Sequence, residues 1–135
     1  MKSTSLIVLI LIFANAFSAS LASAQESSAS MDEIKNAIVK GNAKELAIHF
    51  NTTIDLSVPG KDGTYSKVQA ELIIKDFFEK NKPKSFKINH EGSSNDGSRY
   101  AIGTLTASNN SYRLYFLIKN TNGKALIHQM QIEVE

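Results

Sequence analysis

Cysteine is absent from this sequence, and proline occurs only twice, at Pro59 and Pro83. Without cysteine no disulfide can staple a small domain, so its stability must come from packing. A surplus of one charge is also missing: 15 Lys and Arg face 13 Asp and Glu, with the signs interspersed. That balance gives no electrostatic footprint for nucleic acid or an anionic membrane, and no nucleic-acid partner is expected. Long apolar runs are lacking too. The longest, Leu6 to Phe17 interrupted by Asn15, holds 12 residues. As a helix it would reach about 18 Å, against about 30 Å of hydrocarbon core.

That run follows Met1-Lys2 and precedes Ala22-Ser23-Ala24, which together make the three parts of a secretory signal. The reading is a signal peptide over 1–24, cut between Ala24 and Gln25, then a disordered polar leader over 25–30 and one domain over 31–135. No cysteine stands beside the cut to carry a lipid. The expected product is therefore periplasmic or secreted, not a lipoprotein, with no stable membrane anchor after cleavage. The sequons at Asn51 and Asn109 match a short and common pattern, and a bacterial periplasm suits a cysteine-free chain better than a glycosylating route.

Along the domain, Ser30-Met31-Asp32-Glu33 reads as a capping box opening a helix with Ile34, Ala37 and Ile38 on one side and Gly41 at its end. A second helix follows from Asn42, burying Leu46, Ala47 and Phe50. Ile54, Leu56 and Val58 alternate with polar residues as in a strand. Pro59 to Gly63 is a turn cluster. Ser66-Lys67-Val68-Gln69 is a second capping box, opening the longest helix with Ala70, Ile73, Ile74, Phe77 and Phe78 as its apolar stripe. From Ser85 the rhythm becomes two: four strands, at about 86–90, 99–107, 112–119 and 124–134, separated by Gly- and Asn-rich turns. The fold class is α+β, three helices packed on one face of a curved antiparallel sheet.

This order resembles the nuclear transport factor 2-like cone within the cystatin-like group. More narrowly, Tyr65-Ser66-Lys67-Val68-Gln69-Ala70, Lys82-Pro83-Lys84-Ser85-Phe86, His90-Glu91-Gly92-Ser93-Ser94, Tyr100 to Leu105 and Ser111 to Phe116 are similar to the domain-of-unknown-function 4783 family of exported Bacteroidota proteins. The resemblance spans essentially the whole domain and implies a fold and a bacterial group. It implies no activity, and no functional residue is carried over from it.

Candidate site residues come from strand faces. By simple alternation His90 shares a face with Phe86 and Ile88, and His128 shares one with Leu126, Met130, Ile132 and Val134. Both imidazoles would then point at the helices and line a concave pocket with Tyr65, Tyr100, Tyr112 and Phe116. That pocket would suit a small apolar ligand or a peptide. His90 and His128 are the weak catalytic candidates, as bases of a dehydratase or isomerase type, since imidazole titrates near neutrality. No acid is fixed beside either by a motif, so a non-catalytic binding or interaction module is the leading reading. His49, His90 and His128 lie too far apart in sequence to form a recognisable metal motif, and no metal or cofactor is expected. Tyr115 and Leu117 make the third long strand apolar on its outer face as well, which makes them candidate contacts of a homodimer, the structural reading of the chain.

Overall fold

The computed structural model describes residues 22–135, with side chains from Ser30 onward. The apolar run and most of the 1–24 segment lie outside the described residues. Helix α1 is Ala22–Lys40, with Met31, Ile34, Ala37 and Ile38 buried at the spacing that keeps one helical side dry. It extends N-terminal to Ser30, so that capping box lies within the helix instead of opening it, and the 25–30 leader is helical backbone. Its end is the one expected. Gly41, at φ +64°, donates to the Ile38 carbonyl at 3.0 Å, and Asn42 donates to Ala37 at 2.9 Å. This is a Schellman closure, which needs the left-handed conformation glycine tolerates.

Asn42 then caps α2, Ala43–Ala47, by accepting from the Glu45 amide at 3.0 Å. Phe50 is buried as expected, but as the first residue of strand β1, Phe50–Val58. Strand β2, Lys61–Ser66, follows at once and pairs antiparallel with β1. The turn cluster is thus cut to its first residues. Helix α3, Lys67–Lys80, carries both bonds of the Ser66–Gln69 capping box and buries Ala70, Ile74, Phe77 and Phe78. Strands β3 (Pro83–Ser93), β4 (Arg99–Ala107), β5 (Ser111–Thr121) and β6 (Lys124–Val134) complete the chain.

The sheet order is β2-β1-β6-β5-β4-β3. Every neighbour is antiparallel except β1 and β6, which run parallel, so the sheet is mixed and has two free edges. The expected curved antiparallel sheet thus contains one parallel pair. The β5–β6 hairpin turns on Asn122 and Gly123, both at positive φ, as a primed turn requires.

Two ladder irregularities reassign side chains. On β3 the register passes from Ile88↔Gly103 to His90↔Ile102, leaving Asn89 as the extra residue; on β6 it passes from Ile127↔Ile118 to Gln129↔Leu117, leaving His128. Each bulge inverts the alternation beyond it. The inner face, beneath the helices, is built from Ile54, Leu56, Leu105, Leu114, Phe116, Ile127, Met130 and Ile132, each no more than 1% exposed. Gly103 lets β3 lie close over β4: a Cβ there would stand 2.5 Å from the Lys87 carbonyl oxygen and 2.6 Å from the Phe86 ring.

Candidate functional site

The residues expected to line one pocket fall on both faces of the sheet. Tyr112 and Phe116 are inner-face residues with 3% and 0% exposure. Tyr65 pairs with inward Ile54 and packs half-buried against the core. Tyr112 is held by an edge-to-face contact with Phe77, at 5.1 Å between ring centres, and donates from its hydroxyl to Asn81 Oδ1 at 2.7 Å. Asn81 also receives the Asn109 amide at 2.6 Å and donates to the Phe77 carbonyl, which ties the end of α3 to the β4–β5 turn. These groups are spoken for by the protein itself. The concave side is filled by its own side chains.

His90, Tyr100 and His128 lie elsewhere. The Asn89 bulge places His90 opposite Ile102, between inward Ala101 and Gly103 in β4, and so on the outer face instead of with Phe86 and Ile88. His90 Nε2 and the Tyr100 hydroxyl share a hydrogen bond of 3.0 Å. Tyr100 reaches it by lying across Gly92, its cross-strand partner, where any Cβ would collide with the phenol ring. His128 sits at the β6 bulge and contacts the Thr121 hydroxyl at 2.9 Å, not the apolar face with Met130 and Ile132. Burial, with a smaller push from Lys119, lowers its pKa below the ordinary imidazole value. Since β6 and β3 are separated by β5 and β4, the strands that carry the two imidazoles lie three strand spacings apart, about 14 Å. A single water cannot bridge them.

The third histidine, His49, follows α2 with its Nε2 3.4 Å from a Glu33 carboxylate oxygen. Its pKa is nevertheless lowered, because burial outweighs the pull of Glu33 and Lys67 adds to the burial effect. At neutral pH the contact therefore joins a neutral ring to a carboxylate. Among the described residues no three His, Asp or Glu side chains gather as a metal would need, and no helix is long and apolar enough to cross a membrane.

What the strands do bring together is a strip on the outer face. Tyr100 lies opposite Leu117, and Ile102 opposite Tyr115, across the β4–β5 ladder. The two tyrosine rings are 6.3 Å apart at 38°, and His90 extends the row at 5.7 Å from Tyr100. All four apolar members are partly exposed. On β6, Gln129 stands opposite Leu117 and Gln131 opposite Tyr115. Arg113 and Glu133 face one another at the border, where a 210 Å³ hollow opens between Ile102, Tyr115 and Gln131. The strip therefore has a neutral aromatic centre and a rim of both signs. Ile102 was missed from sequence, although β4, like β5, alternates apolar residues on both faces.

The model of the domain of unknown function DUF4783 matches residues 31–133. None of the curated proteins matches the chain in sequence. Among solved structures, a DUF4783 family protein from Bacteroides uniformis ATCC 8492 is similar at 30% identity and a TM-score of 0.73, covering 77% of this chain and 95% of that one. Another, from Bacteroides fragilis YCH46, shows 30% identity and a TM-score of 0.72, covering 76% and 96%. A protein described as Rd1NTF2_04 with long sheet matches at 18% identity and a TM-score of 0.62, covering 78% and 97%. At that identity the likeness shows the fold alone, a nuclear transport factor 2-like cone.

Proposed function

Since the chain belongs to the DUF4783 family, a family described without an activity, we propose from its own surface that it is an exported, non-catalytic interaction module that pairs with a second copy through the outer face of its sheet. The observation that carries this reading is the strip Tyr100–Ile102–Tyr115–Leu117. It is a contiguous, partly exposed aromatic and aliphatic patch with none of the described helices over it, while the opposite face is sealed by the protein's own core. Depletion of charge at the centre and enrichment in tyrosine are the compositional marks of an interface core. A rim bearing both Arg113 and Glu133 is self-complementary, as a two-fold contact demands. Export supports the reading only through the 1–24 signal pattern, and a periplasmic or secreted product free of lipid is part of the proposal.

A small ligand inside the cone finds less support, because Phe116 and Tyr112 are buried and packed. The enzyme reading finds less still. His90 and His128 are three strands apart, and the partners they meet are a tyrosine and a threonine, not an acid.

Tyr115→Arg places a cation at the centre of the strip without touching the core. Light scattering should report a dimer for the parent chain and a monomer for the variant, with the same circular dichroism. A parent chain that is monomeric at high concentration, or a variant of unchanged mass, would reject this interface.

A further inference from the structure

On the helical side, the end of α1, the α2 turn and α3 meet the start of β3 around a groove of about 670 Å³. Its floor is apolar. Buried Phe78 and Ala43 line it, and Pro83 lies so close to Gly41 in its wall that a Cβ there would stand 3.1 Å from the ring. Leu72 projects at its side with 60% of its surface exposed, which adds an apolar wall to that floor. Lys40, Lys44, Lys75 and Lys82 surround that floor. Glu71 and Glu79 are the carboxylates of the groove, yet neither forms an ion pair with these lysines. Among the described residues the lysine–carboxylate ion pair is Lys80–Asp76, outside the groove. Four cations against two carboxylates leave the groove positive in a chain whose charges otherwise nearly balance.

We infer that this groove binds a free single-chain amphiphile with an anionic head, such as a fatty-acid carboxylate, with its tail on Leu72 and Phe78 and its head among the lysines. Size favours a small ligand over an extended peptide, since the volume falls in the range of about 300–1,000 Å³ typical of small-molecule sites. Charge complementarity selects the head group, and the exposed leucine selects the apolar body. The site is separate from the outer sheet strip and stands whether or not the chain dimerises.

Dodecanoate is titrated into the protein below its micelle concentration, followed by calorimetry and by amide shifts. Dodecyltrimethylammonium, octyl glucoside, a Glu-rich peptide and anionic vesicles are the comparison arms. Saturable dodecanoate binding with shifts centred on Gly41, Asn42 and Lys75 is expected. Lys75→Gln should weaken it about two- to fivefold, and Lys40→Gln with Lys75→Gln about four- to twentyfold, the worth of one or two exposed charge contacts. Leu72→Asn should weaken it about tenfold through lost apolar burial. All three positions are exposed, so the fold is retained. Equal binding of the cationic or uncharged amphiphile overturns the assignment, as do affinity unchanged in the variants, shifts confined to the sheet strip, or binding of the peptide or vesicles without dodecanoate.

Discussion

Replacing Phe116 by alanine separates a packed cone from a ligand pocket. Phe116 has no exposed surface and sits at the middle of β5, opposite Met130 on β6 and Ala101 on β4. If the inner face is core, truncation removes a whole ring and leaves a void. Ala101 offers only a rigid methyl group and cannot fill it, whereas the flexible Met130 can fill part of it. Phenylalanine-to-alanine changes in cores cost about 3–5 kcal/mol, and relaxation of Met130 places the expectation near the lower end, about 3 kcal/mol. A domain of this size has about 5–15 kcal/mol in all, so the variant should remain folded but melt more than about 10 °C lower. Urea unfolding should show a lower midpoint with an unchanged slope, since the surface exposed on unfolding barely changes. A loss below about 1 kcal/mol, together with release of a small molecule from the parent protein but not from the variant, would refute the filled cone and restore the pocket reading.

Other expectations rest on separate features. Gly103→Ala forces a methyl group against the Lys87 carbonyl oxygen and the Phe86 ring. It should destabilise by about 1–3 kcal/mol despite the usual gain from replacing glycine; a urea midpoint equal to or above the parent's would show that β3 can move away freely. Both His49 and His128 have pKa values lowered mainly by burial, so the unfolded chain takes up protons first as the pH falls. Their stabilising contribution is complete above the ordinary imidazole value and is lost below it. The urea midpoint should therefore be higher at about pH 7.5 than at about pH 5.5, with a smaller difference in His49→Gln. A flat profile across that interval contradicts the burial argument.

Strands β4 and β5 were legible because their burial alternates with period two, and α3 because Ser66 and Gln69 make a real capping box. The same four-residue pattern at Ser30 misled, since a capping box permits a helix start but does not forbid helix before it. Strand β2 left almost no trace. Of Lys61 to Ser66 only Tyr65 packs against the core, so this edge strand is held by backbone pairing with β1, which side-chain periodicity does not report. The histidines were misplaced for another reason: one extra residue, Asn89 or His128, turns the pattern over without changing composition. The strip itself was half visible. Tyr115 and Leu117 stood out as apolar residues on the wrong side of a strand, but the lean of Tyr100 over Gly92 depends on a cross-strand register that the Asn89 bulge and the loop after Ser93 set.

The final strand is not at the margin of the sheet. Placed between β1 and β5, β6 joins the first hairpin to the three strands before it by strand pairing in the described sheet. A chain lacking residues 124–134 would hold two separate pieces of sheet, each with an unpaired edge. Its native topology can therefore be completed only after the last strand has emerged, and contacts between residues 50–57 and 127–131 must wait for almost the entire sequence. If this chain crosses a membrane unfolded, as the signal pattern implies, that delay is useful: what is still being threaded cannot yet lock.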